Sequence, residues 1–119
     1  MLLEERIAQA LEGIAAFGGK KPFPGFVPEG TLAPFAVYQQ FAGTRVQSLS
    51  GDCALANPRY QIDIYVEAAL QRAQLAQQVR LAIEQMTDVS VVFLNEGQAY
   101  EPDTRLYRHR LDFSFWIAD

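Results

Sequence analysis

The stretch RYQIDIYVE, residues 59–67, decides the fold class because it shows the clearest alternation in the chain. One parity is apolar or aromatic and the other is mostly polar; the two sets are Tyr60, Ile62, Ile64 and Val66 against Gln61, Asp63, Tyr65 and Glu67. A period of two is the pattern of a β-strand that packs one face on a core. The stretch therefore predicts a strand with one buried face and one outward face.

Three further segments predict strands of the same sheet. Residues 35–42 place Phe35, Val37 and Phe41 on one face and Ala36, Tyr38 and Gln40 on the other. Residues 91–94 predict a short strand that ends in a turn at 95–97. Residues 106–117 alternate throughout, and their length favours a central position in the sheet. Between the first two strands, residues 43–58 predict a projecting hairpin or loop, with a short strand at 45–49 and turn residues from 50 to 58.

Two segments predict amphipathic helices, because their apolar residues recur every three or four positions. The first spans residues 3 to about 17 and is stopped by Gly18 and Gly19, and the second spans 70 to about 86. Between helix and strand, residues 18–34 hold four glycines and four prolines, which exclude regular helix. Phe23 and Phe26 lie in this stretch, so we expect a loop held against the core.

These elements predict an α+β fold. The expected arrangement is an antiparallel or mixed sheet of about four strands, with two amphipathic helices packed on one face. A length of 119 residues suits one core, so residues 1–119 are expected to form a single domain.

Composition narrows the classes of function. Cys53 is the single cysteine and His109 the single histidine, so an internal disulfide is excluded and a structural zinc site lacks ligands. The net charge of -4 disfavours tight nucleic-acid binding. Because residues 1–6 carry two acids and no long apolar run follows, we expect a protein made and kept in the cytosol. No cofactor is expected.

Two catalytic arrangements can be drawn, and both are disfavoured. Cys53 and His109 would form a nucleophile pair if Asp112 oriented the histidine. Asp63 and Asp112 share the outward parity and would form a carboxylate pair for acid–base work. Arg108 and its neighbours share that parity, so surface ion pairing is the better interpretation of the carboxylates. We therefore predict no catalytic, metal or cofactor-binding residues.

The outward aromatic residues are more informative. Tyr38, Tyr65 and Trp116 are all assigned by parity to the face away from the helices. Large aromatic area is seldom left in water, so a helix of the same chain, a nucleic acid or another subunit should cover it. The acidic balance disfavours nucleic acid. We favour a subunit interface at these three residues.

Several short motifs carry a family resemblance. The motifs are VPEGT (27–31), PF (34–35), VYQ (37–39), LSG (49–51), RYQIDIY (59–65), YR (107–108) and DFSFW (112–116). Together they resemble the tail completion, or tail-terminator, family of long-tailed phages and prophages, whose members take part in head–tail joining. The resemblance covers residues 27 to 117.

The resemblance implies a structural protein of the virion tail that is neither an enzyme nor dependent on a cofactor. It further implies a six-fold homo-oligomeric ring between the tail tube and the head connector, made in the bacterial cytoplasm. DNA passes through such a ring without specific binding, which an acidic subunit suits. The alternative is a small ligand-binding or catalytic α+β domain that uses the cleft beside the Pro-rich loop 18–34.

Overall fold

The computed structural model of the protein describes residues 2–47, 54–87 and 89–118. The elements in chain order are α1 (Leu3–Glu12), a 3-10 turn (Ala15–Phe17), β1 (Phe23–Pro24), β2 (Phe35–Gln47), β3 (Ala54–Val66), α2 (Ala69–Glu84), β4 (Ser90–Glu101) and β5 (Leu106–Ala118). They form a five-stranded sheet in the order β1-β2-β3-β5-β4. The α+β fold is confirmed, with one more strand than expected.

The sheet is mixed because β1 runs parallel to β2, whereas every other neighbouring pair is antiparallel. β1 is only two residues long and lies in the Pro-rich loop, so alternation has no room to reveal it. β5 lies between β3 and β4, so it is an interior strand, although β3 and not β5 occupies the middle of the sheet.

Both helices pack on the same face of the sheet. The apolar stripe of α1 buries Ile7 and Leu11, and that of α2 buries Leu75, Val79 and Ile83. The buried strand residues on this face come from β2, β3 and β5; they are Ala36, Tyr60, Ile62, Ile64, Val66, Leu111, Phe113 and Phe115. The apolar parity of β3 is therefore the core face.

The segment between the first two long strands is a hairpin arm. β2 continues to Gln47, which pairs with Ala54 at the start of β3. Placing turn residues at Asn57 and Pro58 is wrong, because both lie inside β3 and pair with β2. The side chain of Asn57 is buried and its hydrogen bonds go to β5, so it acts as a strand residue. The predicted turn at 50–53 lies outside the described residues.

The end of β4 also differs from the sequence prediction. Residues 95–97 do not turn the chain, because β4 continues to Glu101 with a register shift between Phe93 and Asn95. One extra residue, Leu94, forms a β-bulge there. The turn falls at 102–105, where Arg105 adopts a left-handed backbone with φ 58° and donates its N–H to the Glu101 carbonyl.

Helix α1 is shorter than its periodicity predicts. It ends at Glu12 with Gly13 as its C-cap, and the 3-10 turn carries Phe17 into the core. Gly18, in the left-handed region at φ 62°, then caps that turn. In the described part of the chain, no helix combines the length and apolar character needed to cross a membrane.

Candidate functional site

The face of the sheet away from the helices carries Tyr65 and Trp116, as predicted. The ring of Tyr65 stacks on Phe35 with centroids 4.9 Å apart and planes 22° apart. Trp116 follows the buried Phe115 on β5, and 38% of its surface is exposed. These two aromatics therefore occupy different environments, one stacked beside a loop and one open to solvent.

The assignment of Tyr38 to this outer face is wrong. Tyr38 pairs with Ile62, lies on the helix side of the sheet and packs partly buried against the core. Burial, and then the nearby charge of Glu4 on α1, raise the pKa of its hydroxyl. Alternation could not identify the correct face because Phe35 and Val37, on the opposite parity, are also buried.

Trp116 belongs to an exposed apolar corner of the outer face. It pairs across the ladder with Ser90 at the start of β4, and Val92 lies two residues further along that strand. Val92 is 48% exposed and Leu94, at the bulge, is 42% exposed. We call Val92, Leu94 and Trp116 the corner patch. Exposed apolar side chains at neighbouring ladder positions are typical of interaction surfaces.

The polar centre of the outer face is an ion pair between β3 and β5. The Nε and Nη2 atoms of Arg108 each lie 3.2 Å from an oxygen of Asp63, and Gln61 donates a further hydrogen bond of 2.8 Å. The bonds to Asp63 raise the pKa of Arg108, against the opposing effect of its burial. Asp63 is 4% exposed, so its charge is compensated inside the sheet face.

Asp112 does not form a free carboxylate pair with Asp63. In the ladder Asp63 pairs with Arg110, and Asp112 pairs with Gln61, so the two acids are diagonal neighbours. Arg110 Nε lies 3.6 Å from an oxygen of Asp112. Burial raises the pKa of Asp112, Arg110 lowers it, and Asp63 raises it further. Asp112 therefore takes part in ion pairing, as the arginines on the same face of β5 predict.

His109 lies on the helix side, inside the fold. Arg72 of α2 donates from Nη1 to His109 Nδ1 at 2.7 Å, and His109 Nε2 lies 3.0 Å from Glu96 of β4. Asp112, the carboxylate considered for a nucleophile pair, has the opposite parity on β5 and lies on the other face. Cys53 lies outside the described residues.

The link among Arg72, His109 and Glu96 was not predicted from the sequence. His109 shares its parity with Leu111 and Phe113, which was a signal that its side chain faces the core. Its partners come from α2 and β4, and nothing in their local sequence indicates the contact. No group of three His, Cys, Asp or Glu side chains suited to a metal ion occurs within residues 2–47, 54–87 and 89–118.

The cleft beside the Pro-rich loop is present as an open groove of about 510 Å³. Loop residues 27–33 line the groove together with the stacked rings of Phe35 and Tyr65. Three acids, Glu29, Glu67 and Glu101, also line the groove. Its lining therefore combines aromatic rings with acidic side chains.

The comparisons with known proteins agree with this architecture. A solved chain from "Virion of native gene transfer agent (GTA) particle" matches with a TM-score of 0.65 and 18% identity, over 98% of this chain and 95% of that chain. At that identity the match shows a shared fold. No curated protein sequence matches the chain.

The model of the family "Tail completion protein gp17" matches residues 5–118. This match includes α1 from Glu5 onward, all of α2 and all five strands, and the strands hold the corner patch and the ion pairs of the outer face. The chain therefore belongs to the tail completion protein family, a family of structural proteins of phage-like virion tails.

Proposed function

We propose that the protein is the subunit of a homo-oligomeric ring, a hexamer, that completes the tail tube and joins it to the head connector. Its partners are further copies of itself, the tail-tube protein and the connector proteins. The stoichiometry and the position at the head end come from the family resemblance. The observation that carries an assembly role is the exposed corner patch beside the edge of the sheet.

The corner patch supports a subunit contact because of its chemistry. Trp116, Val92 and Leu94 present apolar surface to water, whereas Phe113 and Phe115 on the helix side of β5 are fully buried. Covering such surface contributes about 25 cal/mol for each Å² removed from water. Tyr65 is half-buried by its stack on Phe35, so it adds a smaller share to the proposed interface. Tyr38 lies on the other face and is left out of the interface.

A closed ring needs two different patches on each subunit, because the contact is heterologous. The hairpin arm supplies the second patch. Its described part consists of residues 43–47 of β2 paired with residues 54–58 of β3. An arm that projects from the core can reach a neighbour in the ring without disturbing the packing of the helices.

Charge also suits a ring that encloses DNA. The chain carries 14 acids against 10 Lys and Arg, for a net charge of -4. A lumen that repels phosphate lets DNA pass without being retained.

Native mass spectrometry tests this proposal. The wild type and Trp116→Ala are compared, each alone and with purified tail tubes, and Leu81→Ala removes an exposed apolar residue of α2 as a matched control. We expect a ring with the wild type and the control, and weakened assembly with Trp116→Ala. A wild type that stays monomeric under every condition would refute the ring, and full assembly by a double variant with polar residues at 65 and 116 would refute this interface.

The groove beside the Pro-rich loop gives a second candidate function, the binding of a small ligand. Its volume of about 510 Å³ lies in the range of ligand pockets. A thermal-shift screen of small molecules tests it, with the solution mass measured in parallel. A compound that raises the unfolding temperature, and loses the effect when Tyr65 is replaced by alanine, would favour this function.

A further inference from the structure

Strand β4 forms one open edge of the sheet. In the described part of the chain, β4 pairs with β5 on one side and with no strand on the other. It is 12 residues long and contains no proline, lysine or arginine. Open edges expose unpaired N–H and C=O groups, and proteins usually block them with charges, prolines or short length. β4 has a bulge at Leu94 and two acids, of which Glu96 is engaged with His109, and residues 95–101 run in continuous register with β5.

The far half of β2 forms the opposite open edge. β1 pairs only with Val37 and Tyr38, so residues 39–47 have no partner among the described residues on the side away from β3. This nine-residue edge also contains a bulge, at Phe41, whose side chain is 46% exposed. Each open edge therefore has an exposed apolar residue at its bulge.

We propose that β4 of one subunit pairs with residues 39–47 of β2 in the next subunit, so that the sheet continues from copy to copy. This inference rests on the proposed ring and identifies the strands that join its subunits. The partner is a second copy because every copy carries both edges, and a closed ring satisfies both at once. The two open strands have similar lengths, 12 and 9 residues, and form opposite edges of one sheet.

The corner patch fits the same arrangement. Val92 lies on β4 itself, Leu94 is its bulge residue, and Trp116 is paired with the start of β4. A strand added along β4 would place its own outer-face side chains next to Val92, as a cross-strand neighbour at the rim of the corner patch. Pairing of β4 with β4 would instead give a two-fold dimer and leave both β2 edges open.

The test uses variants that each block one edge. Proline is tolerated at bulges of edge strands and removes an N–H donor, so Leu94→Pro blocks β4 and Phe41→Pro blocks β2. Leu94→Lys and Phe41→Lys serve if a proline variant fails to fold, and Leu94→Met and Phe41→Tyr are matched controls. Circular dichroism verifies folding. Native mass spectrometry, with and without tail tubes, gives the assembly state.

We expect each blocked variant to be monomeric alone and the controls to form the wild-type ring. A mixture of the two blocked variants should give a one-to-one heterodimer, because one open edge remains on each partner. Hydrogen exchange at β4 should slow at least tenfold between monomer and ring. Rings formed by both blocked variants would overturn strand pairing while the proposed function stands. A wild-type dimer abolished by the β4 variant alone would indicate pairing of β4 with β4 and would overturn both. A wild type that never assembles would overturn both.

Discussion

The guanidinium of Arg72 donates a hydrogen bond to Nδ1 of His109 across the interface between α2 and β5, at 2.7 Å. Because arginine has no acceptor, Nδ1 must accept, and the ring proton resides on Nε2, which faces Glu96 at 3.0 Å. The tautomer of this buried histidine is thus set by its two partners. The link joins a helix to the two strands at the end of the sheet.

We predict that Arg72→Ala lowers the free energy of unfolding by about 1–3 kcal/mol, because it leaves the buried Nδ1 of His109 without its donor. Gln77→Ala, a change at an exposed position of the same helix, should cost less than about 0.5 kcal/mol. Urea unfolding measures both. Equal stabilities of the two variants would contradict a structural role for the link.

The buried amide of Asn57 fixes the base of the hairpin arm to β5. Its Nδ2 lies 2.6 Å from Ser114 Oγ and 2.8 Å from the Phe115 carbonyl. We predict that Asn57→Ala destabilises the fold by about 1–3 kcal/mol, since a buried carbonyl and a hydroxyl lose their donor. Asn95→Ala, at an exposed position of β4, is the matched control. Thermal unfolding compares the two, and an unchanged midpoint for Asn57→Ala would refute the prediction.

The raised pKa of the Tyr60 hydroxyl predicts that the folded protein loses stability at alkaline pH. Burial raises the pKa of its hydroxyl above the usual 10.0, and the hydrogen bond of 2.9 Å to Glu4 and the charge of Glu4 raise it further. Above pH 10 the unfolded chain therefore releases a proton that the folded protein retains, so stability falls as pH rises. The pKa values of Tyr38 and Tyr65, also raised chiefly by burial, act in the same direction.

The variant Tyr60→Phe should reduce the slope of stability against pH between about 10 and 11, and cost about 1 kcal/mol at pH 8 through the lost hydrogen bond. Tyr100→Phe removes an exposed hydroxyl and serves as the control. Denaturant unfolding at pH 8, 9, 10 and 11 gives the slopes. The interpretation fails if Tyr60→Phe and the wild type lose stability in parallel.

The sequence predicts the strands best where one face of the strand is buried and the other is exposed to solvent. β3 and β5 meet that condition, and their parities were assigned correctly. β2 does not, because Phe35 and Val37 are buried on one face while Ala36 and Tyr38 lie under the helices on the other. Alternation then carries no information about which face is which, and this misplaced Tyr38.

Local composition also led to wrong turn predictions at two polar stretches. Residues 95–97 and 57–58 contain Asn, Gly or Pro, which favour turns, yet both stretches lie within strands. In the first case the partner strand β5 continues past the bulge, and in the second buried hydrogen bonds of Asn57 outweigh turn propensity. These long-range pairings lie beyond any window along the chain. The corner patch was found only in part, because Val92 and Leu94 were expected in a shorter strand.

Loss of the charge of Asp63 should destabilise the fold, whereas loss of the charge of Asp112 should not, although both acids lie on the outer face of the sheet. Asp63 is buried and accepts three hydrogen bonds from Arg108 and Gln61, so Asp63→Asn breaks a compensated pair and should cost about 2–4 kcal/mol. Asp112 has a pKa raised mainly by burial, so its charge is disfavoured by folding. Its folded form binds protons more readily than its unfolded form, and stability from this group falls as pH rises above about 3.8.

Asp112→Asn should therefore leave stability at pH 7 within about 1 kcal/mol of the wild type, or raise it, despite the loss of the contact with Arg110. Urea unfolding of both variants at pH 7 and pH 4 measures the contrast. The difference between Asp112→Asn and the wild type should shrink at pH 4, where Asp112 is already partly protonated. If Asp112→Asn were the more damaging change, the acid would be a stabilising partner of Arg110 and the assigned effect of its burial would be wrong.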